Sequence, residues 1–416
     1  MPILLRTLAV RVRHIGAATA ALASLALNGC ESILDVDFPG RIPTEQLDNP
    51  TLAPVLVLSV IGDFECAFAN YAFTTSIQSD EFESATSFAN LALWGERSLF
   101  ADDELYANGA CIQGYGLQVP MHTARYQADD VYRRLQGWTD TQVRNRSTAM
   151  ATVRAYGAYT YLFFGETYCS VAFDRGPEQA PSAALAIAEQ QFTEAVTLAQ
   201  QANATDILQL ARTGLARVKL DLRKWAEAAA AAQQVTPGFE VLTQRGAENT
   251  RRNNQLFRFA TQPGSYTVAP ALRNLNDPRV LVANANRPSN LPSVPLWITT
   301  KYPALDSPNR LASYREAQLS LAEALAQQGQ VSNAMTILNT RRAQVSLAAL
   351  TATTQTEAVA HVIEERRREL SFEAGHRLND LLRYQIPWKV GTSPFTLRPY
   401  GTTSCWPMPT KERTGA

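Results

Sequence analysis

The stretch that decides the fold is HVIEERRRELSFEAGHRLNDLLRY, residues 361–384. It concentrates carboxylates and guanidiniums in a chain that is only 18% charged, yet apolar residues recur within it at helical spacing. Read as a helix, Val362, Ile363, Leu370 and Phe372 supply apolar contacts. Glu364 faces Arg367 and Arg368, and Arg366 faces Glu369, at spacings of three or four residues that allow ion pairs on one helix surface. Ala374-Gly375 ends or bends that helix, and HRLNDLLRY resumes with Arg377 three residues before Asp380. A catalytic reading is weak. A general acid needs a raised pKa, and arginine neighbours push a carboxylate down. His376 is isolated, and no nucleophile–base pair is visible. The pattern predicts an ion-paired scaffold helix.

The other residues set the frame around it. The 416-residue chain carries no net charge and is 46% hydrophobic, which allows a large core and gives no basic stripe for nucleic acid. Residues 1–29 have a secretory layout: Arg6, Arg11 and Arg13, then a short apolar run from Ile15 to Leu27. Leu27-Asn28-Gly29-Cys30 is similar to a bacterial lipobox, with Asn28 where a smaller residue is usual. It predicts a lipid anchor on Cys30, with palmitate-type acyl chains, and a tether over 30–50. No later segment reads as an apolar run long enough to span a bilayer. Cys66, Cys111, Cys169 and Cys405 then remain, an even number that permits two disulfides of unspecified pairing in an exported protein. Their spacing excludes the usual zinc patterns, and no metal or cofactor is expected.

Along the chain the texture is mainly α. AMATVRAYGAYTYLFFGETYC (149–169) reads as a buried helix, and SAALAIAEQQFTEAVTLAQQA (182–202) as an amphipathic one with Ser182 as its N-cap. Two helix pairs follow, 206–222 with 224–235 and 310–330 with 331–347, with alanine at close-packing positions. They have the look of degenerate tetratricopeptide-type hairpins. Residues 62–120, 236–309 and 385–416 show only short apolar runs and read as irregular insertions, where binding function usually sits.

In the opening stretch, Glu365-Arg366, Glu369-Leu370, Phe372-Glu373, Gly375, Arg377, Asp380-Leu381 and Arg383 resemble the signature of SusD/RagB-like outer-membrane lipoproteins. Further segments agree in order. AYTYLFFGETYC (158–169) is similar to that family's aromatic helix, and 215–235 to its repeat pair. Asn276-Asp277-Pro278-Arg279, Lys301-Tyr302 and 314–342 match later motifs, and Trp406-Pro407-Met408-Pro409 with Glu412 resembles its closing segment. The resemblance covers nearly the whole chain after the leader.

It implies a mainly α, SusD-like fold: one domain over 51–416 built on a tetratricopeptide-like helical-hairpin scaffold, with loop-rich insertions at about 62–120 and 236–309. It also implies a non-catalytic, surface-exposed protein anchored to the outer membrane. Such a protein captures nutrient oligomers, glycan or peptide, and passes them to a SusC-like TonB-dependent transporter. The family motif does not fix ligand contacts. From composition, the candidates for carbohydrate binding are Tyr71, Phe73, Trp94 and Tyr115 in the first insertion and Trp297 in the second. Trp138, Trp225 and Trp388 are assigned to the scaffold. Asp80, Glu81 and Glu83 form an acidic cluster without a calcium-loop pattern, and are expected in a solvated loop. Two other classes compete: an exported glycan-degrading enzyme, which would need two free carboxylates, and a lipid-anchored repeat scaffold, which would not need the long insertions.

Overall fold

A computed structural model describes residues 44–413. Cys30, the leader and most of the tether lie outside them. Residues 44–48 form a short 3-10 turn by themselves, and the compact unit that follows begins at Pro50.

That unit begins with α1 (Ala53–Gln78), a 26-residue helix where the sequence suggested an irregular insertion from residue 62. The helix is buried on nearly every side from Phe64 onward, so its apolar residues show no amphipathic period. The run Pro50–Gln78 also contains a stretch long and apolar enough to cross a membrane, contrary to the sequence reading. Here its buried half is a core helix. It packs against α4 (Gln118–Gly137) and α5 (Arg146–Thr167). Tyr71 stacks on Phe163 of α5 with ring centroids 4.1 Å apart, and Phe64 and Phe68 extend the same aromatic layer. Between α1 and α4 lie two short helices, α2 (Ala89–Gly95) and α3 (Glu104–Asn108).

Helices then follow as hairpins, each packed on the next: α5 with α6 (Pro181–Gln201), α7 (Thr205–Asp221) with α8 (Trp225–Ala232), and α9 (Tyr314–Gln327) with α10 (Val331–Gln344). Pro181 occupies the first turn of α6, where its missing N–H costs nothing. The N-cap position is therefore Ala180 rather than Ser182. Close approach is bought by small residues: a Cβ at Gly214 would lie 2.2 Å from the Phe192 ring, so α6 and α7 meet there only over glycine. The second repeat pair begins later than its sequence pattern, because residues 309–313 form a strand and Ser313 caps α9 by accepting from the Glu316 N–H at 3.2 Å. α11 (Gln355–Glu369) opens on a reciprocal Thr354–Glu357 capping box, and α12 (His376–Arg383) follows.

The segment 236–309 is irregular but not unstructured. Among the described residues it contributes four of the six strands and the first residue of a fifth, and the six make three antiparallel pairs: β1 (Phe82–Ser84) with β3 (Tyr266–Val268), β2 (Glu240–Thr243) with β6 (Asn309–Ser313), and β4 (Val282–Pro288) with β5 (Pro295–Thr299). The C-terminal stretch returns across the front. Cys405 is joined to Cys169, just beyond α5, and Trp406 is buried among Trp94 and Tyr106. A second disulfide, Cys66–Cys111, ties α1 to the loop before α4.

Candidate ligand cleft and the buried ion-pair junction

The charged opening stretch is structural, but its pairing is not the local one. Only the Glu364 pairs with Arg367 and Arg368 run along the helix, at 3.4 and 2.7 Å. Arg366 instead reaches Asp380 of α12 at 3.0 Å and Glu323 of α9 at 3.3 Å. Glu369 takes Arg341 of α10 at 2.8 Å, and Arg377 takes Asp80, just past α1, at 2.6 Å. Between α11 and α12 the chain turns through left-handed backbone at Phe372 and Gly375 (φ 62° and 78°). A Cβ at Gly375 would lie 1.8 Å from the Tyr71 hydroxyl, so this turn needs glycine twice over.

Other motif residues converge on the same turn. Lys301 Nζ donates to the Ser371 carbonyl and to Glu373, and the Tyr302 hydroxyl donates to the Phe372 carbonyl. Arg279 bridges Asp277 and Glu365 at 2.7 and 2.6 Å. Burial works against both charges, but the Arg279 hydrogen bonds hold Asp277 at about 2. Deeper in, Glu166 at the end of α5 forms a bidentate pair with Arg217 of α7, at 2.6 and 2.7 Å, and accepts from the Tyr71 hydroxyl at 2.7 Å. Glu316 lies beside them with its carboxyl raised to about 7 by burial, against the pull of Arg217. Burial, and then Arg217, push the His376 imidazole well below its ordinary range.

The acidic run after α1 belongs to this junction too, and is not a solvated loop. Glu81 accepts from the Phe372 N–H and is raised to about 7 by burial; Glu83 is buried and accepts from the Tyr400 hydroxyl at 2.7 Å. Among the described residues no group of three or more His, Cys, Asp or Glu side chains is placed to hold a metal.

Three of the five candidate ligand aromatics are likewise interior. Tyr71 is occupied by Glu166 and Phe163. Phe73 lies between Phe259 and Tyr266 at 4.9 and 5.7 Å. Trp94 is fully buried, with its Nε1 donating to Asp103 at 2.7 Å. Each sits where a core needs a large ring, and none offers a face to solvent. Trp297 is partly buried on β5 with the Arg273 guanidinium 5.5 Å from its ring centre. Of the scaffold tryptophans, Trp138 is buried, while Trp225 and Trp388 are half-buried, Trp388 beneath the Arg97 guanidinium.

Tyr115 alone among the five lines an open cleft of about 730 Å³, formed where the two insertions meet. Its apolar faces come from Phe88, Leu91, Tyr115 and Phe259, and its polar groups include Thr86, Ser265, Gln262 and Asn290. Phe88, at the N-cap of α2, is 55% exposed. It is presented by a turn in which Thr86 Oγ1 accepts from the Phe88 N–H at 3.1 Å and donates to Asn290 at 3.0 Å. Asn290 is itself fixed by its N–H bond to the Gly264 carbonyl. Phe259 rides on a π-helical turn (Phe257–Thr261), 5.9 Å from Tyr115. Sequence reasoning missed Phe88, Arg258, Phe259, Gln262 and Asn290. The available signal was Phe88 as the single large side chain among the small residues of SATSFAN (84–90).

Residues 311–412 match the model of the SusD family. Among solved structures, the chain superposes on a SusD homolog from Bacteroides thetaiotaomicron with TM-score 0.68 and 17% identity, over 90% of this chain and 97% of that one. A SusD-like carbohydrate binding protein from Bacteroides vulgatus gives 0.61 and 16%, over 81% and 84%. A laminarin-binding SusD-like protein gives 0.66 and 16%, over 87% and 96%. No curated protein matches the chain in sequence. Residues 311–412 thus carry the SusD-family match, and the chain shares the fold of the SusD homologs.

Proposed function

We propose that the protein is a substrate-binding lipoprotein that captures glycan oligomers in the cleft at Phe88, Tyr115 and Phe259 and delivers them to a TonB-dependent, SusC-like transporter. The observation that carries this reading is one exposed ring, Phe88, and two half-buried ones, Tyr115 and Phe259, beside the Thr86 hydroxyl and the Asn290 amide, which a hydrogen bond between them fixes. Rings take the apolar faces of sugars, and the polar groups take their hydroxyls. Carbohydrate binding by two proteins of the same fold supports it. In this reading residues 1–29 are removed, Cys30 carries the acyl chains at the outer membrane, residues 30–50 are the tether, and 51–416 form one domain on the cell exterior. The helical hairpins face the transporter. Capture is favoured over hydrolysis because no carboxylate lines the cleft among the described residues, while glycoside cleavage usually uses two.

The test is calorimetry of the purified protein against soluble glycans, beside Phe88→Ala. Removing this exposed ring is expected to weaken binding by roughly tenfold, about 1.4 kcal/mol, with the melting temperature unchanged. Depolymerisation of an offered glycan, or binding indifferent to Phe88, would defeat the proposal.

A further inference from the structure

The cleft has one charged lining residue, Arg258, and its surroundings differ from those of the scaffold arginines. Its Nη1 donates to the Gln113 carbonyl at 3.2 Å and to Gln255 Oε1 at 3.4 Å, and its guanidinium carbon lies 4.9 Å from the Phe259 ring centre. Among the described residues no carboxylate lies within ion-pair distance of it. Burial therefore lowers its pKa, where the ion-paired Arg366 and Arg383 are raised. The chain makes room for this placement. Gly114 has φ +83°, and a Cβ there would lie 2.6 Å from Arg258 Nη1. At the rim a second guanidinium, that of exposed Arg287, donates to the carbonyls of Thr261 and Gln262 at 2.6 and 3.0 Å, again with no carboxylate partner among the described residues. Two arginines without acids, beside aromatic rings and neutral amides, make a site short of negative charge.

We propose that the cleft selects acidic glycans, oligomers bearing carboxylate or sulfate groups, with an oxyanion of the sugar completing the pairing of Arg258 and Arg287 steering the approach. The guanidinium edge suits an oxyanion because it can donate two parallel hydrogen bonds, stronger than those to a neutral hydroxyl. The partly desolvated setting of Arg258 raises the value of that pairing over one in open water. The inference rests on the glycan-binding reading above.

Calorimetry with the purified protein would compare tetragalacturonate, a chondroitin sulfate tetrasaccharide and neutral maltotetraose at low and moderate salt. An acidic oligomer should bind about tenfold tighter than the neutral one, and the margin should shrink as salt rises. Tetragalacturonate carries carboxylates alone and the chondroitin tetrasaccharide carries sulfates beside its carboxylates, so tighter binding of the second reports sulfate recognition. In Arg258→Gln the acidic-to-neutral ratio should fall towards one, and in Arg258→Lys, which keeps the charge but loses the fork, it should fall only part way. Equal or tighter binding of maltotetraose by the native protein overturns the acidic preference while leaving glycan capture intact. So does a ratio unmoved by Arg258→Gln. Failure of every glycan in the broader panel removes both readings.

Discussion

Around the turn between α11 and α12, guanidiniums meet carboxylates from other helices; in the cleft, Arg258 meets none. Arg366, Arg383, Asp380 and Glu323 close on one another with almost no exposed surface. Arg258 shares its Nη1 between a carbonyl and an amide. The same residue type therefore does two jobs. In the junction, charges are spent on joining α5, α7, α9, α11 and α12 in one register, and replacing one partner strands another in a dry interior. In the cleft, a charge held without an acid stays available to something from outside. Net charge says nothing of this division, because the chain sums to zero either way.

The largest effect should come from breaking the junction at its centre. Glu166 and Arg217 are both almost wholly buried, and Arg217 also approaches Glu316 at 3.7 Å. Arg217→Met leaves Glu166 held only by Tyr71 and Asn379, with a buried charge uncompensated. A loss of roughly 3–5 kcal/mol is expected in urea denaturation. Adding Glu166→Gln to the same chain should restore part of it, since the stranded charge is then gone. A change below about 1 kcal/mol in the single variant would show that the junction is not the closed network its distances describe.

How much of this could be read beforehand differs between the two regions for a physical reason. The junction is written in charged residues at fixed places in a signature, so its location and structural role were legible in Glu365, Arg366, Glu369, Asp380 and Arg383. Its partners were not, because helical spacing reports only neighbours on one helix, and the pairs that matter join helices. The long helix α1 was hidden by its own burial, which erases the period that marks an amphipathic helix. For the cleft, composition can name aromatic residues but not separate a ring in the core from a ring at a rim. Trp94 and Phe88 are six residues apart, and the larger ring is the buried one. What exposes Phe88 is the turn made by Thr86 and Asn290, a contact across more than two hundred residues.

His122 sharpens the comparison from the side of the aromatic rings. Like Arg258 it lies against them, with Phe164 4.7 Å and Phe173 5.9 Å away, but it titrates and can discard its proton. Burial, reinforced by Arg125 and opposed by Asp174, lowers it to about 4. In the unfolded chain it titrates near 6.5, so between those values the unfolded state binds the extra proton. Its contribution is therefore fully present above pH 6.5 and is lost as pH falls towards 4. His122→Gln should flatten the decline in stability across that window by about 3 kcal/mol relative to the native protein. His376, lowered in the same direction, is present in both proteins and drops out of the difference. Parallel pH profiles for the two proteins would mean that His122 stays charged among the rings.

The smallest expected effect tests the other side of the comparison. Arg258→Gln removes a guanidinium that no carboxylate of the described chain depends on, so no buried charge is stranded. The glutamine amide can still donate to the loop at Gln113, and the contact with Phe259 is lost only in part. Stability should change by less than about 1 kcal/mol, well below the change for Arg217→Met on the same denaturation curve. If the two variants instead fell by similar amounts, Arg258 would be a brace for the π-helical turn, and its lack of an acid partner would reflect how that turn packs. A small loss keeps the division between closed and open charge, and leaves the guanidinium free to define what the cleft accepts.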